Sequence, residues 1–161
     1  MKLSNSYIGL PEEFYQQINP TPVENPSLLQ FNDELAEFLK ISLEEQEKLD
    51  IFSGNKIPSD SIPIALNYSG HQFGNFVHEL GDGRAVLLGE INNQNGSYDI
   101  QLKGSGLTKF SRQGDGRSAL GPVIREYIVS EAMHYLDVPT SRSLAAVASG
   151  EYVARDNFEP G

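Results

Sequence analysis

The chain has 161 residues, 39% of them apolar and 21% charged, which suits one domain, or one lobe with an extension, around a modest core. It contains no cysteine, which excludes a disulfide framework, a thiol nucleophile and a cysteine-ligated metal. The formal charge of −10 argues against a general nucleic-acid binder. No apolar run approaches the ~20 residues of a membrane span and the N-terminus lacks a secretory signal, so a cytoplasmic protein is the expectation.

Residues 1–31 carry prolines at 11, 20, 22 and 26, a spacing that prevents long helices and favours an extended segment lying on something else. Leu10, Phe14, Tyr15, Leu28 and Leu29 are its expected apolar anchors. From Asn32 the pattern turns helical: Leu35, Phe38 and Leu39 share a face, and Asn32 or Asp33 caps the first turn. Ser42 followed by Glu45 has the form of a capping box for a second short helix through about Asp50. The acids Glu34, Glu37, Glu44, Glu45 and Glu47 read as a solvated face rather than metal ligands.

His71, between glycines and polar residues, is expected to be partly exposed and hydrogen-bonded. With His78 and His134 at no ligand-like spacing, it suggests no metal site. Three strands are expected next. Asn75–Leu80 and Ala85–Leu88 flank Gly81-Asp82-Gly83-Arg84, whose Asp-Gly pair predicts a hairpin turn. After the turn cluster at 92–96, the strand Tyr98–Lys103 places Ile100 and Leu102 on one face and Asp99, Gln101 and Lys103 on the other. Lys103 thus points away from the core at a strand end, where an anion could sit; an ordinary surface lysine is the alternative.

Five of the 12 Lys and Arg residues (Lys103, Lys109, Arg112, Arg117, Arg125) fall between 103 and 125, with Asp115 the one acid among them. The glycine-rich loop 104–121 could converge backbone amides on that anion. Helix 122–136 follows, opened by Pro122 and ended before Pro139, with Val123, Ile124, Tyr127, Ile128 and Tyr135 as its core face. Glu126 lies beside that stripe and Glu131 near its middle, where a carboxylate needs a cationic partner. Ser141–Ala148 is a further apolar strand, and a turn at Gly150 leads to Tyr152–Ala154.

A Gly-rich hairpin, a strand ending in a cleft-facing lysine and a helix bearing a glutamate follow the order of a protein-kinase upper lobe. There the lysine holds phosphates and the glutamate holds the lysine. Neither G-x-G-x-x-G nor V-A-I-K occurs in its usual form. The fold class expected is α+β: an N-terminal helical and extended segment (1–62), then a kinase-like N-lobe (63–161) that reads as truncated.

Tyr68-Ser-Gly-His-Gln-Phe-Gly74, Leu80-Gly-Asp-Gly-Arg-Ala85, Leu102-Lys-Gly-Ser-Gly106, Ser111-Arg-Gln-Gly-Asp-Gly-Arg117 and Arg125-Glu-Tyr127 together resemble the selenoprotein O (YdiU) family, nearly throughout the chain. The resemblance implies a kinase-like fold that transfers AMP from ATP to protein Ser, Thr or Tyr hydroxyls, with the nucleotide flipped so that the α-phosphate is attacked. Some bacterial members are reported to transfer UMP. It implies that Gly81, Gly83 and Arg84 contact ATP, that Lys103 binds phosphate, that Asp115 and Gly116 contact the nucleotide, and that Glu126 pairs with Lys103. The helical wheel also nominates Glu131; the motif favours Glu126.

The family's catalytic-base aspartate and its ligands for Mg²⁺ (or Mn²⁺) are expected downstream, so no catalytic or metal residue is assigned within this chain. Residues 1–161 alone are expected to be inactive. The rival readings are a pseudokinase scaffold or nucleotide-binding module without catalysis, and a nucleic-acid contact through 103–125, disfavoured because Phe110 is the one aromatic in that loop. A lobe without its partner is also expected to expose apolar surface and an open sheet edge, and so to self-associate.

Overall fold

The computed structural model describes residues 1–161. In chain order its elements are β1 (Tyr15–Gln17), β2 (Ser27–Phe31), α1 (Asp33–Leu39), α2 (Glu45–Phe52), β3 (Ile64–Leu66), β4 (Gly70–Gln72), β5 (Asn75–Val77), β6 (Ala85–Asn93), β7 (Gly96–Lys103), α3 (Leu120–Tyr135), β8 (Ala145–Ala148), β9 (Tyr152–Ala154) and β10 (Phe158–Pro160). The class is α+β. One antiparallel sheet has the order β1-β3-β6-β7, and three two-stranded ribbons pair β2 with β8, β4 with β5, and β9 with β10.

The β6–β7 hairpin is the centre of the molecule. Its turn lies between Asn93 and Gly96, inside the expected turn cluster, and its register runs to Ala85 opposite Lys103. Alternation along β7 holds: Ile100 and Leu102 are buried, while Asp99, Gln101 and Lys103 are exposed. Ile100 and Leu102 join Leu3, Leu35, Ala36, Leu39, Ile41, Ile51, Leu88 and Ile91 in one core cluster. Residues before and after position 62 therefore share a core, and β1 and β2 each pair with strands from the later part of the chain. Truncating one of these buried leucines to alanine costs ~2–5 kcal/mol by lost transfer energy and the cavity left behind.

Several local expectations are corrected. The Gly81–Arg84 stretch is not a hairpin turn: β5 pairs with β4, and β6 pairs with β3 and β7. Asp82 is buried rather than poised at a turn tip, because its carboxylate takes three bonds from two separate parts of the chain, 66–68 and β7. In the N-terminal segment Leu10, Phe14 and Leu29 are exposed, and Leu3 and Val23 are the buried anchors. Asn32 caps α1 by accepting from the Leu35 amide, but Phe38 faces outward onto Tyr98 and Ala36 takes the inward place. At α2 the N-cap is Glu44, without a side-chain bond, so the Ser42–Glu45 box does not form. His71 is exposed, as expected, and packs against the Phe76 ring instead of hydrogen bonding.

Helix α3 begins two residues before Pro122. Its inward stripe is Leu120, Val123, Tyr127, Ser130 and Glu131, all buried or half-buried. Ile124, Ile128 and Tyr135, expected in the core, are 41%, 61% and 65% exposed. The helix is turned so that its second half meets polar rather than apolar neighbours.

Candidate functional site

Because Lys103 ends the outward face of β7, its side chain extends over the sheet toward the first half of α3. The Lys103 Nζ lies 2.8 Å from both carboxylate oxygens of Glu126. Both side chains are about half exposed, at 47% and 52%. A pair so solvated adds at most ~1 kcal/mol to stability. It fixes the ammonium in direction while leaving its open side free for an anion.

Arg84 is brought to the same place through the backbone. Its carbonyl accepts from the amides of Gly104 (2.7 Å) and Ser105 (3.3 Å), which continue directly from Lys103. Its exposed guanidinium makes no hydrogen bond within the chain. Arg84, Lys103, Arg117 and Glu126 line one open groove of about 1370 Å³.

Gly81, Gly83, Asp115 and Gly116 do not line that groove; they lie in the loops that carry Arg84 and Arg117 to it. A Cβ on Gly81 would overlap the Phe110 ring, and one on Gly83 would sit 2.8 Å from the Phe110 carbonyl oxygen. The loops 81–84 and 108–111 are laced together: Thr108 Oγ1 donates to the Asp82 carbonyl and Ser111 Oγ to the Gly83 carbonyl, each at 2.6 Å. Gly116 has φ +72°, and a Cβ added there would overlap the Gly106 carbonyl group, so glycine alone fits.

The Asp115 carboxylate receives the Arg117 amide at 2.9 Å and both terminal nitrogens of Arg155, at 2.7 and 3.2 Å. The hydrogen-bonded Arg155 guanidinium holds the Asp115 carboxyl below the usual carboxylate range. Arg155 also donates to the Arg117 carbonyl, and Arg117 to the carbonyls of Thr21 and Pro22. The N-terminal segment, which offers no chemistry in its sequence, thus buttresses the glycine-rich loop.

Three organising residues carried little or no signal. Asp82 accepts from the Leu66 amide (3.1 Å), the Tyr68 hydroxyl (2.9 Å) and Gln101 Nε2 (3.1 Å). Burial, and then the bond to Asp82, push the Tyr68 phenol up to about 12. Arg155 has no motif around it. Arg142 is different: the expectation that Glu131 needs a cation pointed to it indirectly, and Arg142 supplies that cation through two hydrogen bonds. No group of three or more His, Asp or Glu side chains gathers to hold a metal ion.

The family model described as "Protein adenylyltransferase SelO" matches residues 1–161. Among curated proteins the chain is similar to the protein nucleotidyltransferase YdiU of Rhodopseudomonas palustris (strain BisB18), 58% identical over 161 residues, which cover 98% of this chain and 33% of that protein. It is likewise 58% identical to the protein of that name from Maridesulfovibrio salexigens, over 164 residues covering 100% of this chain and 33% of the relative. The protein of that name from Alkalilimnicola ehrlichii is 56% identical over 161 residues, again 98% of this chain and 33% of the relative. The chain spans about a third of the length of the curated relatives it matches. It belongs to the SelO family of protein adenylyltransferases.

Proposed function

We propose that this chain supplies the phosphate-holding half of a nucleotide site in a protein that transfers AMP from ATP to Ser, Thr or Tyr hydroxyls of other proteins. The observation that carries the reading is the two-oxygen contact of Glu126 with Lys103 at the end of β7. Support comes from the order in which the parts follow: antiparallel β3, β6 and β7, then α3, as in a kinase N-lobe spanning 63–161. In this reading residues 1–62 are an extension woven onto that lobe.

Lys103 and Arg84 neutralise phosphate charge, and Glu126 keeps the ammonium aimed. Gly81, Gly83, Asp115 and Gly116 shape the loops that approach the nucleotide. A hydroxyl oxygen of the acceptor protein attacks the α-phosphorus, the bond to the β-phosphate bridging oxygen breaks, and pyrophosphate leaves. The hydroxyl proton passes to a base outside residues 1–161. Positioning and charge neutralisation do most of the work in such a displacement. No cluster of acids here is arranged to hold a divalent ion; in this reading the residues that would hold Mg²⁺ or Mn²⁺ lie outside this stretch, and residues 1–161 alone are expected to transfer nothing. No helix is long and apolar enough to cross a membrane, and a cytoplasmic setting, where ATP and acceptor proteins meet, suits the reaction.

The test is full-length protein given ATP labelled separately at the α and γ positions. Retained α label without γ label, abolished by Lys103→Met, is expected. Retained γ label would make the protein an ordinary kinase, and transfer that survives Lys103→Met unchanged would remove Lys103 from the site.

A further inference from the structure

Helix α3 carries two ion pairs, and they differ in kind. Glu126 meets Lys103 with both side chains about half exposed. Five residues later Glu131 meets Arg142, and these side chains are 16% and 14% exposed. Arg142 donates from Nε to one carboxylate oxygen at 3.0 Å and from a terminal nitrogen to the other at 2.5 Å. Five residues correspond to about 140° around the helix axis, so the two pairs grip α3 on different flanks.

Apolar packing does little to fix the second half of this helix. Its one fully buried residue is Ser130, whose hydroxyl meets that of Ser143 at 3.0 Å. Ile128 and Val129 are exposed. The remaining tie is polar: the Tyr135 hydroxyl donates to Glu34 at 2.7 Å, and Asn32 in turn steadies the segment that meets the helix by donating to the Ser143 carbonyl at 3.4 Å. The helix's ties all run to the 141–144 segment or to the start of α1.

A shielded carboxylate that loses its cation must turn out to water. For Glu131 that turn means rolling or tilting α3, and the same roll carries Glu126 away from Lys103. We propose that Arg142 is a positioning residue for the nucleotide site: by holding Glu131 it sets the rotation of α3 at which Glu126 meets Lys103. The inference rests on the reading of Lys103 as the phosphate-binding lysine. It makes the N-terminal extension, through Asn32 and Glu34, part of the apparatus that aims the lysine.

The experiment uses full-length protein with Arg142→Met, Arg142→Lys, Glu131→Gln, Lys103→Met and the Lys103→Met/Arg142→Met double variant. Three readouts are taken: affinity for a fluorescent ATP analogue, thermal midpoint, and the yield of a zero-length carbodiimide cross-link between Lys103 and Glu126, measured by peptide mass spectrometry. Arg142→Met is expected to weaken nucleotide binding about tenfold, as misplaced groups do, and to suppress the cross-link. Glu131→Gln shifts both readouts in the same direction, and Arg142→Lys, which keeps the charge without the fork, gives back part of the loss. In the Lys103→Met background, Arg142→Met should weaken binding by less than about twofold, since its effect passes through the lysine.

Equal weakening in both backgrounds, or an unchanged cross-link in folded Arg142→Met and Glu131→Gln proteins, overturns the proposal. If Lys103→Met itself leaves nucleotide affinity unchanged, the nucleotide reading falls; the cross-link yield then still decides whether Arg142 aims Glu126.

Discussion

Replacing Asp82 tests how the Gly81–Arg84 loop is held. Asp82 is 7% exposed and has no cation beside it; its charge is met by the Leu66 amide and Gln101 on one oxygen and by the Tyr68 hydroxyl on the other. Asparagine keeps one acceptor oxygen. Turned toward Leu66 and Gln101 it retains both bonds, and its NH₂ then faces the Tyr68 hydroxyl, which can rotate to accept. Every partner stays satisfied, and the loss is charge assistance alone, about 1 kcal/mol. Leucine removes both oxygens. Gln101 can turn to water, but the Leu66 amide, in a half-buried strand end, cannot, and an orphaned donor costs ~1–3 kcal/mol beyond the lost bonds. Asp82→Leu should therefore cost ~2–4 kcal/mol and Asp82→Asn about 1.

Denaturant unfolding measures the two costs, and phenolate absorbance near 295 nm supplies an independent check. Tyr68 titrates at about 12 in the folded protein, against an ordinary value of 10.0. A raised pKa contributes stability that is complete below pH 10 and lost as the pH climbs through about 12. Tyr68 is 46% exposed, so solvent screens that contribution. In Asp82→Asn the phenol should titrate lower, short of its ordinary value because burial persists. Equal destabilisation by Asn and Leu, or an unmoved Tyr68 titration, would refute this account of the loop.

Gly116→Ala combines a left-handed backbone with a Cβ that would overlap the Gly106 carbonyl group, and should lower stability by ~3 kcal/mol or more. Gly121→Ala, in α3 with nothing within 4 Å, should leave the thermal midpoint unchanged or raise it, by up to ~1 kcal/mol in stability. Phe73 is 93% exposed with φ +52° at the tip of the β4–β5 hairpin, followed by Gly74 at φ +78°. Phe73→Asn creates the Asn-Gly pair such a turn prefers and should raise stability by about 1 kcal/mol in thermal unfolding. Arg142 and Arg155 hold the Glu131 and Asp115 carboxyls below the usual range. Their contributions are present above the unfolded value near pH 4 and lost as pH falls through the folded values. Glu131→Gln should flatten the fall in urea midpoint below about pH 4; identical acid profiles for the two proteins would contradict it.

The legible parts of the fold are those governed by local periodicity. Alternation in 98–103 put Ile100 and Leu102 inside and Lys103 outside, and the turn residues of 92–96 marked the central hairpin. What stayed hidden depends on partners distant in sequence. Asp-Gly at 82–83 has the composition of a hairpin turn, yet Asp82 spends its carboxylate on residues 66, 68 and 101. Leu10 and Phe14 look like anchors for an extended segment, but Leu3 is carried into the core beside β6, where Ser4 and Glu90 exchange backbone bonds. Ser42 and Glu45 satisfy the capping-box pattern, and the helix nevertheless starts two residues too late to use it.

The two acids of α3 show where local physics ends and geometry must decide. A wheel drawn from the sequence nominates both Glu126 and Glu131 as partners for a lysine, and spacing does not choose between them. The fold gives each its own cation. Glu131 is shielded and met by a planar fork, an arrangement that suits a fixed structural tie. Glu126 is half in water and met by a flexible ammonium with open space beyond it, which suits a pair that must also receive an anion. Had the assignments been reversed, the half-exposed lysine would leave Glu131 poorly compensated in its shielded site, while Arg142 at Glu126 would tie up its guanidinium on the carboxylate and give little to a phosphate. The division of the cations between the two glutamates is thus itself an argument that the outer pair serves the ligand and the inner pair serves the helix.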